Sequence, residues 1–372
     1  MTNPTSRSIP SLDGLRTICV ALVILTHTFA YIHGEPKSFP LLQLIAWGRS
    51  AVDVFFVISG FLITGLLLKD SDEKSGYRLK RFYLRRFFRI FPPFYLFLGV
   101  VLILWKTGVQ PVDSRAFITA ATYTYNYLPH GLGWLLAHCW SLSLEEQFYI
   151  IWAPCMILLG WKKSRTVALG AILLSPAIRF LTYVLAPRIR GNEDMMLHTR
   201  LDTIMFGCAM ALLWKDARFN RWVEKLVRPS LVMFAIFYIL ILGPCLSTRF
   251  DARYDWTIGY SLEGFLISVV ILYAVRTPSS GFGKFLNWAP MRHIGVISYG
   301  IYLWQQMFTG PYAFWVPLNL MVVLGCAELS YWLVERPSFR LRDWTEKRWL
   351  PRPPSPITNQ NTLPVGEPGS AG

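Results

Sequence analysis

Long apolar segments separated by short polar loops fill most of this 372-residue chain. A helix needs about 20 mostly apolar residues to cross a bilayer, and such segments recur along the whole sequence. We therefore predict an all-α integral membrane protein, a bundle of about ten transmembrane helices. The predicted spans are roughly residues 13–33, 42–68, 91–107, 141–160, 166–186, 200–214, 230–246, 257–275, 294–309 and 313–334.

Two regions depart from the apolar pattern. Residues 114–136 are less apolar and rich in tyrosine, so we predict a loop with a helical or interfacial segment there. Residues 346–372 form a polar tail rich in Pro and Gly, a composition typical of disorder. The predicted domains are a transmembrane domain over 1–345 and a disordered cytoplasmic tail over 346–372.

The charge of the chain supports this class and orients it. Lys and Arg number 37 against 22 Asp and Glu, giving +15, yet only 16% of the residues are charged and 53% are hydrophobic. A nucleic-acid binder would place such charge on a soluble fold, so no nucleic-acid partner is expected. With both termini in the cytoplasm, the cytoplasmic segments contain 27 Lys and Arg and the outer segments 9, as the positive-inside rule requires.

Two cationisable residues in the first span are candidates for chemistry. Arg16 and His27 are eleven residues apart, which places them on one helix face about 16 Å apart along the axis. Charged groups inside a membrane usually mark a site or a pathway. The alternative is that Arg16 pairs with Asp13 and that His27 is simply hydrogen-bonded in the bundle.

Other polar residues in or beside the spans also allow two interpretations, one functional and one structural. Asp53 and the Ser59-Gly60 step could line a polar wall, or could be a packing notch with Asp53 paired to Arg49. The segment 80–93 interleaves aromatic and basic residues. It could bind the phosphates of a nucleotide-like donor such as coenzyme A (CoA) or lie on anionic lipid.

The fourth span begins with two carboxylates, Glu145 and Glu146. Glu145 shares a helix face with Tyr149 at the i,i+4 spacing. Helix capping explains one glutamate but not both. Arg200 and Asp202, at the start of the sixth span, are individually typical of a capping or packing ion pair.

Taken in order, these segments resemble the acyltransferase-3 family of membrane-bound O-acyltransferases over about residues 8–340. The motifs that carry the resemblance are Leu12-Asp13-Gly14-Leu15-Arg16 with His27, the block Val52–Phe61, Arg86-x-x-Arg89, Trp140-Ser141-Leu142 with Glu145-x-Gln147-Phe148-Tyr149, Arg200-x-Asp202, Ser298-Tyr299-x-x-Tyr302-Leu303-Trp304, and Glu335-x-Pro337. The resemblance implies a ten-helix fold that moves acyl groups, usually acetyl from acetyl-CoA, onto extracytoplasmic glycans. It also implies a multi-pass protein of a bacterial inner membrane. Many members have histidine where this chain has Gln305-Gln306, so we assign no catalytic role there. The extra soluble hydrolase-like domain of some relatives is not expected.

The resulting hypothesis assigns roles residue by residue. Acyl transfer needs an activated hydroxyl and a stabilised oxyanion, and an imidazole suits proton exchange with an alcohol. His27 would be general base or covalent acyl relay, two versions that the sequence does not separate. The predicted catalytic residues are His27, Arg16 and Glu145; those for the acyl-CoA donor are Ser59, Arg85, Arg86 and Arg89; those for the saccharide or glycolipid acceptor are Asp53, Tyr149, Arg200 and Asp202.

Two other functions remain open at this stage. A ten-helix chain with buried charges could be a secondary transporter for an acidic or sugar solute, although we find no internal repeat. A non-catalytic scaffold would leave Arg16 and His27 without a purpose. The six cysteines are scattered singly, which favours neither disulfides nor zinc, and no metal is expected. Acceptor identity, acyl length and oligomeric state are not encoded in these patterns.

Overall fold

In the computed structural model, the described residues are 9–32, 39–69, 75–128, 132–189, 192, 194–250, 252–312 and 315–350, and over these ranges the chain is helical with no strand. The α-helices are α1 Pro10–Ile32, α2 Phe39–Lys69, α3 Ser75–Lys106, α4 Ser114–Ala121, α5 Cys139–Leu185, α6 Leu197–Leu213, α7 Ala217–Leu226, α8 Pro229–Phe237, α9 Gly243–Phe250, α10 Ala252–Tyr254, α11 Tyr260–Arg276, α12 Gly281–Leu286, α13 Ala289–Val296, α14 Ser298–Trp304, α15 Val316–Ser330 and α16 Arg336–Trp349. Short 3-10 turns cover Tyr125–Tyr127, Pro187–Ile189, Gln305–Met307 and Gly310–Tyr312, and π-helical turns cover Tyr238–Leu242, Asp255–Gly259 and Tyr331–Glu335.

Among the described residues, seven helical stretches are long and apolar enough to cross a membrane. This confirms the all-helical, multi-pass class. The sixth predicted span corresponds to α6, which has 17 residues, and the ninth is divided among α13, α14 and a 3-10 turn. The predicted tail is helical up to Trp349, and residues 351–372 lie outside the described part.

Helix α5 explains how two predicted spans become one stretch. It contains 47 residues, and Gly160 within it has φ 72° and ψ 167°. A residue with a Cβ atom rarely adopts this positive φ, whereas glycine adopts it readily. The chain therefore turns at Gly160, between the predicted spans 141–160 and 166–186.

The centre of the bundle is the crossing of α2 with α6, with α1 on the other side of α2. Gly60 and Gly207 lie at the crossing, where a Cβ atom on either would overlap the backbone of the opposite helix. Small residues allow membrane helices to approach this closely and to gain van der Waals contact. The crossing fixes the position of the polar residues on α2.

The last helix, α16, packs against α3. Its sequence is mostly polar and basic, and it leaves Leu341, Trp344 and Trp349 exposed. The carboxylate of Glu346 binds the guanidinium groups of Arg81 and Arg85 on α3. Thus α16 is attached to the basic segment singled out in the sequence.

Candidate functional site

A cavity of about 1030 Å³ lies between α1, α2, α3, α5, α14 and α16. Toward α16 its wall is charged, and toward the N-terminal end of α5 it is lined by Ser141, Tyr302 and the rings of Phe55 and Phe56. A cavity of this size is at the upper end of the usual range for small-molecule sites, about 300–1,000 Å³.

Six arginines and five carboxylates line this cavity. Arginine N–H groups match the oxygens of phosphates in a bidentate geometry. In the described structure neither Arg89 nor Arg340 forms an ion pair, and both line the cavity. The arginines are Arg16, Arg86, Arg89, Arg336, Arg340 and Arg342, and the carboxylates are Asp13, Glu145, Glu146, Glu335 and Asp343.

Several predicted site residues do meet in the middle of the cavity. The hydroxyl groups of Ser59 and Tyr149 share a short hydrogen bond, and the carboxyl group of Glu145 hydrogen-bonds with both. The guanidinium of Arg86 lies 5.2 Å from the centroid of the Tyr149 ring. Residues from α2, α3 and α5 therefore form one polar group on the cavity wall.

Arg16 belongs to the same cavity. Its Nη1 atom lies 3.2 Å from Oδ1 of Asp13, one turn earlier on α1. The sequence analysis gave this Asp13–Arg16 ion pair as the structural alternative to a role of Arg16 in chemistry. Because the Arg16 side chain remains 18% exposed to the cavity, the pairing with Asp13 does not close it off from a ligand.

Arg85 departs from the expected arrangement. Its Nη2 and Nε atoms donate to Glu346 at 2.7 and 3.1 Å, and it is not among the residues that line the cavity. The three predicted donor arginines thus divide: Arg86 and Arg89 face the cavity, whereas Arg85 connects α3 to α16.

Asp53, Arg200 and Asp202 lie away from the cavity, in a buried cluster of ion pairs. Asp53 binds the guanidinium of Arg200, which lies 3.7 Å over the ring of Tyr260. Asp202 accepts two hydrogen bonds of 2.9 Å from Arg179 of α5. Their predicted contact with the acceptor stays a prediction, and this geometry favours a role in joining α2, α5 and α6.

His27 lies further along α1 than the residues that line the cavity. Its Nδ1 atom is 2.8 Å from Oε1 of Gln305, in the 3-10 turn that follows α14. The indole of Trp134 packs edge-on against the imidazole, with ring centroids 5.1 Å apart. The Trp134 Nε1–H donates to the carbonyl oxygen of Gln306 at 3.0 Å. The imidazole is therefore held by two side chains from distant parts of the chain.

A second imidazole is bound by the residue next to Gln305. His138 is buried, and its Nδ1 atom hydrogen-bonds with the side chain of Gln306. The hydroxyl of Ser141, on the cavity wall, donates to the His138 carbonyl at 3.0 Å. His138 therefore connects the cavity wall to the turn that holds His27.

Sequence reasoning missed or undervalued several of these residues. Gln305 and Gln306 have no catalytic role in the sequence-based hypothesis, although paired glutamines at the end of an apolar helix were a usable signal, and His138 is not among its predicted site residues. Glu335 and the arginines of α16 also line the cavity, but in the sequence Glu335 is only part of a family motif and those arginines are not among the predicted site residues. Within the described residues, no three His, Cys, Asp or Glu side chains come together as metal ligands would.

Comparison with known proteins adds a family to this geometry. The acyltransferase-3 model, described as an acyltransferase domain, matches residues 9–334. Peptidoglycan O-acetyltransferase OatA of Listeria monocytogenes is 30% identical over 90% of the chain and 56% of its own length. O-acetyltransferase OatA of Staphylococcus aureus is 29% identical over 93% of the chain and 59% of its own length. The chain thus spans little more than half the length of these relatives. No solved structure matches it.

Proposed function

The chain belongs to the acyltransferase-3 family, and from this premise we propose that it is a membrane O-acyltransferase. It moves an acyl group, acetyl by family habit, from cytoplasmic acyl-CoA to a hydroxyl of an extracytoplasmic or lipid-linked saccharide. The observation that carries the proposal is the arginine-lined cavity, whose wall includes Arg16 of the helix that also bears His27. The match of the family model to residues 9–334 confirms the family resemblance found in the sequence.

The topology we propose has ten spans and both termini in the cytoplasm of a bacterial inner membrane. The positive-inside count supports this orientation. It places α16 and the arginines of α3 on the cytoplasmic side, where acyl-CoA is available. It also places the inner end of the cavity toward the outer leaflet and the acceptor.

The donor is bound, in this proposal, by cations from two helices. Arg86 and Arg89 of α3 line the same cavity as Arg336 and Arg340 of α16. Planar guanidinium groups bind phosphate oxygens two at a time, so four such groups suit the several phosphates of CoA. Arg16, on α1, follows the pantetheine arm or stabilises negative charge that develops on the thioester oxygen.

Proton transfer is assigned to His27. Its imidazole accepts the proton of the acceptor hydroxyl, the oxygen attacks the thioester carbon, and the tetrahedral intermediate expels the CoA thiolate, which is then protonated. In the covalent version, the imidazole attacks the thioester carbon and the CoA thiolate leaves. The acceptor hydroxyl then attacks the acyl-imidazole, the imidazole is released, and the hydroxyl proton passes to the thiolate. Glu145, hydrogen-bonded to Ser59 and Tyr149, orients polar groups along the path between the arginines and the imidazole.

The acceptor is the least constrained part of the proposal. The Listeria relative is named a peptidoglycan O-acetyltransferase, so peptidoglycan joins exopolysaccharide, O-antigen and lipo-oligosaccharide as acceptor classes to test. A secondary transporter is not favoured, because a cavity lined by donors for phosphates and a match to an acyltransferase model are not what solute transport requires.

The test is release of CoA from acetyl-CoA by membranes that contain the protein, with surface glycan fractions and peptidoglycan supplied as acceptors. His27→Ala should lower release by about 10²- to 10⁴-fold, the usual contribution of general acid–base catalysis. Arg86→Ala combined with Arg89→Ala should raise the KM for acetyl-CoA. His293→Ala is the matched control, because that imidazole is paired with Glu328 on the protein surface.

Two results would contradict the proposal. Full activity of His27→Ala at equal expression would remove both versions of the mechanism. Absence of CoA release with every acceptor, together with solute uptake by proteoliposomes of the same protein, would replace the enzyme with a transporter.

A further inference from the structure

Gln305 contacts His27 in a way that the sequence did not suggest. The two residues are 278 positions apart, yet the side-chain oxygen of Gln305 lies 2.8 Å from Nδ1 of the imidazole. Gln305 is fully buried. The hydroxyl of Thr309 donates to the Gln305 backbone carbonyl at 2.9 Å and lies 3.2 Å from the same side-chain oxygen. Thr309 therefore packs against the carboxamide, whose oxygen is directed at the ring.

A carboxamide oxygen accepts hydrogen bonds and is not protonated near neutral pH, so a ring nitrogen bonded to it must carry the hydrogen. In a neutral imidazole one nitrogen is a donor and the other an acceptor, and the partner of the first decides which. With Nδ1 as the donor, the lone pair is on Nε2. Trp134, edge-on to the ring at 5.1 Å, restricts rotation of the imidazole about this bond.

We infer that Gln305 is a positioning residue for His27: it accepts the Nδ1–H, fixes the tautomer, and leaves Nε2 as the nitrogen that takes the substrate proton or the acyl group. This inference rests on the proposed function for the role of His27, but the hydrogen bond itself is independent of it. A glutamine does this without charge, whereas the carboxylate partner of a catalytic triad also stabilises the imidazolium. An uncharged partner keeps the imidazole neutral and ready to accept a proton.

The neighbouring residue repeats the arrangement on the other imidazole. Gln306 binds Nδ1 of His138 and also accepts a hydrogen bond of 3.0 Å from the His138 backbone N–H. The imidazole of His138 is an ionisable group near His27, whereas Trp134 and Gln305, which contact His27, carry no charge. Two successive glutamines of one turn thus each orient one histidine, and Gln306 provides a matched control.

The first test measures the tautomer of His27 directly. In detergent-solubilised protein labelled with ¹⁵N-histidine, the His27 signals are those missing from His27→Ala. We expect the Nδ1–H tautomer in the wild type and a mixture of tautomers in Gln305→Leu. Gln306→Leu should change the His138 signals and leave those of His27 in place. An Nε2–H tautomer for His27 in the wild type would overturn the inference.

The second test is the pH dependence of acyl transfer. Gln305→Glu introduces a carboxylate that stabilises the imidazolium, so the acidic limb of the rate profile should move upward by about 1–3 pH units, the usual effect of an opposite charge at this range. Gln305→Leu should lower kcat by about 10- to 100-fold, as for a misplaced catalytic group. If Gln305 had only a structural role, its substitution would change expression of the protein without moving the acidic limb of the pH–rate profile.

These results separate the inference from the proposed function. If His27→Ala abolishes transfer but Gln305→Glu has the wild-type profile, Gln305 is not a positioning residue and the function stands. If His27→Ala is active, the function falls, and the tautomer measurement alone decides whether Gln305 fixes the ring.

Discussion

Removal of the Asp53 carboxylate should destabilise the protein rather than specifically impair acyl transfer. Arg200, its partner, is fully buried, and in the described structure its Nε and Nη1 atoms have no hydrogen-bond partner. Asp53 is therefore the main compensation for this charge, together with the ring of Tyr260. Loss of one member of a buried pair costs about 3–5 kcal/mol, because the other charge remains buried.

The assay is thermal aggregation of the detergent-solubilised protein, followed by size-exclusion chromatography, alongside CoA release per folded molecule. Asp53→Ala should lower the melting temperature markedly and leave the activity of the surviving folded fraction nearly unchanged. Glu328→Ala, the control, removes a carboxylate from the surface pair with His293, and surface pairs contribute about 0–1 kcal/mol. Combining Asp53→Leu with Arg200→Met should restore much of the lost stability, since replacing both charges of a buried pair with apolar groups is often neutral.

A loss of activity without a loss of stability in Asp53→Ala would refute a purely structural role for this carboxylate. If Asp53→Ala keeps the wild-type melting temperature but loses acyl transfer, the carboxylate contacts the acceptor, as the sequence first suggested. If Asp53→Ala is destabilised and the double variant is no more stable than it, the pair is not the source of the effect.

Three further predictions concern the cavity mouth, the helix crossing and a helix cap. Arg340→Ala should raise the KM for acetyl-CoA about tenfold, since a hydrogen bond to a charged group contributes about 1.5–3 kcal/mol, whereas Arg221→Ala on α7 should not change it. Gly207→Ala should destabilise by about 1–3 kcal/mol through overpacking against α2, measured by thermal aggregation, while Gly170→Ala, with open space around it, should not. Asp113 caps the N-terminus of α4, and hydrogen bonds lower its pKa, first from the Arg115 side chain and then from backbone N–H groups of the first turn. The cap is therefore fully present above the ordinary pKa of an aspartate and is lost as the pH falls through the lowered pKa. The protection of the first-turn amides of α4, taken relative to the intrinsic exchange rate at each pH, should fall in acid, and Asp113→Asn, which caps without titrating, should remove this acid dependence.

The sequence predicts the positions of the apolar spans, but it does not predict which face of each helix contacts which neighbour. Segment length and hydropathy suffice to predict helices such as α2, because the bilayer requires a fixed apolar length. They do not show which side of α2 meets which partner, since this helix is apolar on nearly all sides. Asp53 and Ser59 are six residues apart on it, yet one lies in the ion-pair cluster and the other on the cavity wall.

The same limit applies to the site. Local spacing correctly indicated that Asp13 pairs with Arg16 and that Glu145 and Tyr149 meet, because one helical turn brings such residues together. The contact between His27 and Gln305 joins residues 278 positions apart. It depends on how α1 and the turn after α14 pack, which no single helix encodes.

The guanidinium of Arg179 has a consequence for how the chain enters the membrane. It lies in the second half of α5 and is satisfied by Asp202 of α6, 23 residues later, and by Ser261 of α11, 82 residues later. An arginine near the middle of an isolated span costs about 2.5–3.5 kcal/mol on the insertion scale. During synthesis, α5 therefore precedes both Asp202, which neutralises the guanidinium, and Ser261, which accepts a hydrogen bond from it. This order favours insertion of α5 as a hairpin with α6 rather than alone. A nascent chain stopped before α6 should integrate this span poorly, and one that extends past α11 should integrate it fully.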